Sequence, residues 1–132
     1  TTDLTIRTGS TRGLFDITEA CAAFVAGEGD GVLNVFVPHA TAGVVVMELG
    51  AGSEEDVMRA LDELLPRDDR WRHRHGSPGH GADHVLPLLA SPSLVVPVVG
   101  GELGLGTWQS IAFLDPNPDN DRRTVRLTFV AG

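Results

Sequence analysis

VFVPHATAGVVVMELG, residues 35–50, sets two apolar runs on either side of a short junction holding His39 and Thr41. The second run, from Gly43 to Leu49, is β-branched and unbroken, which predicts a central strand covered on both faces. Pro38 restricts the backbone just ahead of His39, so the junction is a fixed turn where two strand ends meet solvent. A histidine and a threonine held there by apolar neighbours can face a cavity.

Upstream, the alternation in LTIRT (4–8) and LFDIT (14–18) predicts a pair of strands joined by a glycine-containing turn. A helix follows, capped by Thr18, with Glu19 in its first turn, and GEGDG (27–31) ends it before the strand VLNVFVP (32–38). Downstream, Ser53 opens a second helix with Glu54, Glu55 and Asp56 at the positive end of its dipole, and Val57, Met58, Leu61, Leu64 and Leu65 form one stripe. Pro66 stops it. Residues 67–83 have no apolar periodicity and are too long for an ordinary connection, which favours a functional loop. HVLPLLAS (84–91) supports a short helix, and the strands SLVVPVV (93–99), TWQSIAFLD (107–115) and RTVRLTFVAG (123–132) follow. The order ββαββααβββ reads as an α+β fold with antiparallel sheets and two or three helices, in one domain over residues 1–132.

Charge narrows the partners. A formal charge of −8 disfavours nucleic acid and anionic membranes, and no apolar run approaches the length of a membrane span. The start lacks the basic and apolar regions of a secretory signal, so a cytoplasmic location is expected. All ten cations are arginine, four of them in RDDRWRHRH (67–75) and three in RRTVR (122–126). Such forks suit phosphate or carboxylate, and equally suit surface pairs with neighbouring aspartates. Without lysine there is neither Schiff-base chemistry nor a P-loop. Cys21, the one cysteine, excludes an internal disulfide and reads as a small core residue, so any metal rests on histidine and carboxylate ligands.

Five histidines are present, and four fall within HRHGSPGHGADH (73–84). His80 and His84 stand four apart, a spacing that places two imidazoles on one helical face, but Gly79, Gly81 and Pro87 argue that the helix starts after His80. Glu48 closes an apolar run, where a carboxylate is costly unless it is paired, bound to a cation or carried out into solvent. In GLGTWQS (104–110), Trp108 can stack on a planar ring while Gln109 hydrogen-bonds its edge.

Together, HATAGVVVMEL (39–49), WRH (71–73), GADH (81–84), GGELGLGTWQSIAF (100–113) and DRRTVRLTFV (121–130) resemble the YjbQ-like family over nearly the whole chain. The resemblance implies a homotrimer with a polar pocket near a subunit boundary, and a secondary thiamine-phosphate synthase activity. That reaction joins a pyrimidine diphosphate to a thiazole phosphate and releases diphosphate. Carried over by position, His39, His73 and His84 are the expected metal ligands, for zinc or magnesium, and His39, Glu48 and His84 are the catalytic candidates. Thr41, Arg72, Thr107, Trp108 and Gln109 are expected to bind a phosphate-bearing substrate. Leu49 and Ala51 stand where the family usually has Asn and Asp, and His80 where it more often has Asn. The competing expectation is a trimer that holds a metal or small anion without turnover.

Overall fold

The computed structural model describes residues 1–132. Its elements run β1 (Thr2–Arg7), β2 (Gly13–Asp16), α1 (Thr18–Val25), β3 (Gly31–Phe36), β4 (Gly43–Met47), α2 (Ser53–Leu64) and α3 (His80–Asp83). A 3-10 turn (Leu86–Leu88) leads into β5 (Ser93–Val99), β6 (Glu102–Leu103), β7 (Ser110–Asp115) and β8 (Arg122–Ala131). The fold is α+β, with all strand pairs antiparallel: one sheet of order β1-β8-β3-β5-β6 and a second of order β2-β7-β4.

The two sheets face each other across the main core. Alternation puts Leu33 and Val35 of β3, Val96 and Val98 of β5, and Val125 and Leu127 of β8 on the inner face, where they meet Ile111 and Phe113 of β7. Helix α1 closes this core with Cys21 and Val25, and burial pushes the Cys21 thiol up to about 12, so it is a packing residue. On its other face the three-stranded sheet buries Leu114 against Leu61 of α2 and Leu86 of the 3-10 turn. Strand β7 is therefore covered on both faces, every residue from Ile111 to Asp115 being buried.

Several expectations are corrected. β1 and β2 do not pair with each other; β1 joins β8 and β2 joins β7. The reason lies in Thr8, which is buried and bonds both its N–H and its hydroxyl to the turn between β7 and β8, leading the chain from one sheet to the other. β4 is covered on both faces, yet it is a sheet edge; the central strand is β7. Thr18 lies inside α1, with its N–H and hydroxyl donating to Asp16 Oδ1 at 2.9 and 2.6 Å, so the carboxylate of Asp16 serves the helix start. Leu64 falls off the buried stripe of α2 and is exposed. Thr107–Gln109 precede β7 rather than belonging to it, and β6 arises within the glycine-rich turn that follows β5. No helix is long and apolar enough to cross a membrane.

Candidate functional site

The long loop after α2 is tied down at both ends by Arg67. Its guanidinium donates to buried Asp83 of α3 and to the carbonyl of Pro78, so loop start, loop end and helix share one anchor. Burial raises the Asp83 carboxyl above its ordinary value, opposed by hydrogen bonds from Asn117 and Arg67. Within the loop, the Trp71 indole donates to Pro66 O at 2.8 Å, and Arg74 donates to the carbonyls of Trp71 and Asp69 at 2.9 and 2.6 Å. Arg74 thus keeps its charge uncompensated by a carboxylate. The loop can pack so closely because a Cβ on Gly81 would sit 2.4 Å from Trp71 Cβ and 2.5 Å from His73 O.

This packing brings four imidazoles together. Going round the ring His73, His84, His80, His75, successive centroids lie 4.0, 4.6, 4.5 and 4.2 Å apart, and both diagonals are 5.7 Å. One nitrogen from each ring falls within 4.8 Å of all the others. Two rings come from the loop, one from the first residue of α3 and one from His84, which caps its C-terminal end; left-handed Gly79 precedes the helix. The four-residue spacing that Gly79 and Gly81 seemed to break is therefore intact: His84 N–H bonds to His80 O, and the two Nε2 atoms are 2.8 Å apart.

Tautomers follow from the neighbours. His80 Nδ1 lies 2.9 Å from Asp119 Oδ2 and 2.9 Å from the Asn117 amide nitrogen. The Asn117 amide nitrogen donates one of its two N–H groups to Asp83 at 2.8 Å and its Oδ1 accepts from Asp119 N–H at 2.9 Å, so of the two groups beside Nδ1 the Asp119 carboxylate is the one able to accept a proton from it. His80 Nε2 then carries the lone pair, facing the centre of the quartet. Burial opposes ionisation of Asp119, but hydrogen bonds from Ser77, His80 and Asn117 outweigh it and hold the carboxyl below its ordinary value. Desolvation and the neighbouring histidines lower the pKa of His73 and His84, favouring the neutral ligand form.

These shifts predict a pH response. A base whose folded pKa is depressed binds fewer protons folded than unfolded, so stability is complete above about 6.5 and falls as pH drops toward the folded value. The melting temperature of the metal-free protein should decline as pH is lowered from 7.5 to 5.5, and the His73→Gln/His84→Gln double variant should flatten that decline. An unchanged slope in the variant would assign the effect elsewhere. Asp119 acts in a separate, more acidic window, near and below 3.8.

A cavity of about 370 Å³ opens beside the quartet, lined by Trp71, His73, Arg74, His75, Ser77 and His80 among others. Of the residues expected from the sequence, His73 and His84 are in the quartet, and Arg72 is exposed on the same loop. His39 stands apart from the quartet within the chain: its Nε2 accepts the Thr124 N–H at 2.9 Å, and burial with Arg123 nearby lowers its pKa. Thr41 is buried and accepts from Arg123 at 2.7 Å. Glu48 is exposed just past the end of β4, the outcome in which the strand runs out into solvent. Thr107, Trp108 and Gln109 are exposed in the turn before β7, with Gln109 accepting from Gly106 N–H, and none lines the cavity. His75, Asn117 and Asp119 complete the site without an expected role in it, and His80, which the sequence paired with His84 by spacing, joins them. The crowding of four histidines into twelve residues was the visible signal for His75, and that crowding with the His80–His84 spacing the signal for His80.

Comparison with known proteins gives a consistent kinship. A family model described as UPF0047 protein YjbQ-like matches residues 2–132. The UPF0047 protein Rv2556c of Mycobacterium tuberculosis is 60% identical over 121 residues, covering 92% of this chain and 91% of the relative. A UPF0047 protein of Archaeoglobus fulgidus is 33% identical, over 93% and 96% of the two chains. Among solved structures, a hypothetical protein from Aeropyrum pernix superposes with a TM-score of 0.90 at 32% identity, covering 99% of this chain and 98% of that one. A YbjQ-like protein of unknown function from Sulfolobus solfataricus gives 0.91 at 26% identity, over 99% and 96%.

Proposed function

The chain belongs to the UPF0047 family of YjbQ-like proteins, and on that footing we propose that His73, His75, His80 and His84 hold a divalent transition-metal ion beside a cavity for a small anionic substrate. The observation that carries this is the convergence of four imidazole nitrogens within 4.8 Å. An all-nitrogen set suits zinc and its neighbours, whereas magnesium demands oxygen ligands, so zinc is the better match of the two expected ions. Bound there, such an ion supplies Lewis acidity toward an oxygen of the substrate.

The chain's own residues add the complementary charge. Arg74 borders the cavity with no carboxylate partner, and of the two aspartates on the same lining Asp68 is neutralised by Arg70 and Asp69 is not, so it is the Arg74 guanidinium that supports a phosphate-bearing substrate. Thiamine-phosphate synthase chemistry, as a secondary activity, is the reaction to test first, because it expels diphosphate and needs positive charge where that group departs. A homotrimer belongs to this reading. Val32, Val95, Val99 and Val130 leave apolar surface on the outer face of the five-stranded sheet, which supports self-association. One observation favours the alternative of a metal-holding protein without turnover: four nitrogens fill a tetrahedral shell and leave no open position.

Metal analysis of the purified protein tests the centre. Wild type should carry about one ion per chain, His84→Ala should lose it, and His39→Ala should keep it. Metal absent from wild type, or retained by His84→Ala, overturns the metal centre. Formation of thiamine phosphate from the two precursors, lost in His84→Ala, supports the synthase reading, while equal rates in both proteins remove it.

A further inference from the structure

We infer that Asp119 is a positioning residue for the metal centre: its carboxylate fixes His80 in the Nδ1–H tautomer and aims the Nε2 lone pair at the ion. This deepens the four-histidine reading and rests on it. Asp119 lies in the turn between β7 and β8, remote in sequence from all four histidines, with its side chain 28% exposed. Its Oδ2 accepts from His80 Nδ1 at 2.9 Å and from Ser77 N–H at 3.3 Å. The fit is tight, since a Cβ on left-handed Gly76 would come within 2.7 Å of both Asp119 Oδ2 and His80 Nδ1.

The carboxylate is also mounted on the core. Asp119 N–H donates to Asn117 Oδ1 at 2.9 Å, and Asn117 N–H donates to Asp115 Oδ1 at 3.0 Å, Asp115 being fully buried at the end of β7. Two successive aspartate- and asparagine-type turns thus hold Asp119 in register with the sheet rather than leaving it on a free loop. A carboxylate so fixed selects one tautomer and one ring orientation of its histidine and raises the basicity of the ligating nitrogen. Without it, either nitrogen of His80 can hold the proton, and the ring is free to turn away from the quartet.

A double-mutant cycle with Co²⁺ as the probe tests this, read by titration and by the visible ligand-field spectrum. Asp119→Ala should weaken Co²⁺ binding about 10- to 100-fold and move the spectrum to that of His80→Ala. In the His80→Ala background, removing Asp119 should change neither affinity nor spectrum, because the residue acts only through that ring. Asp119→Asn keeps the shape and an acceptor oxygen, guards against misfolding, and should give an intermediate affinity. Additive losses in the cycle, or wild-type affinity and spectrum in Asp119→Ala, overturn the assignment while leaving the centre in place. Failure of wild type to bind Co²⁺ overturns the four-histidine reading itself, and the role of Asp119 with it.

Discussion

Arg123→Met is expected to destabilise the protein by about 3–5 kcal/mol, measured as a fall in the urea midpoint. Arg123 enters the core from β8 with 5% of its surface exposed. Its Nε donates to Asp115 Oδ2 at 2.8 Å, and one terminal nitrogen donates to Asp115 Oδ1 at 3.2 Å and to Thr41 Oγ1 at 2.7 Å. Asp115 has no solvent exposure, so losing the guanidinium leaves a carboxylate buried without its counter-charge, and the desolvation cost is no longer offset. The Arg123→Met/Asp115→Leu double variant should recover much of the loss, because it removes both charges together. A single variant within 1 kcal/mol of wild type would contradict this account. The same substitution should also weaken metal binding, since Asp115 is the base from which Asn117 and Asp119 are held.

Gly81→Ala is expected to lower metal affinity by about tenfold or more while costing the fold only about 1–3 kcal/mol. The added methyl would meet Trp71 Cβ at 2.4 Å and the His73 carbonyl at 2.5 Å. Neither atom is the far end of a flexible side chain, so the strain is relieved by lifting the loop that carries His73 and His75. The sheets, packed elsewhere, need not respond. Gly29→Ala is the control, because a Cβ there meets nothing within 4 Å. Equal metal affinity in the Gly81 and Gly29 variants would show that the loop accommodates the methyl without moving its histidines.

The strands that alternate cleanly were legible in the sequence. SLVVPVV matches β5 residue for residue, and the helix opened by Ser53 is α2. Pairing was less legible, because a period of two gives the face of a strand and not its neighbour. That is why β1 and β2 looked like a hairpin, and why the valine run of β4 looked central when β7 holds that place. At the site, the four histidines were visible, but the glycines around them argued for a broken helix and masked the link between His80 and His84. PNPDND read as a polar turn, and nothing local indicated that its Asn117 and Asp119 would reach residues some forty positions earlier. His39 and Thr41 did lie at a fixed junction, as their apolar flanks implied, but inside one chain His39 Nε2 and Thr41 Oγ1 are taken up by β8.

The quartet is confined to residues 73–84, so gathering its nitrogens closes only short segments of chain and costs little entropy. Long-range pairing, by contrast, decides where β7 and β8 lie. The imidazole cluster is thus local in sequence while the sheets are not, and the turn between β7 and β8 ties the two together through Asn117 and Asp119.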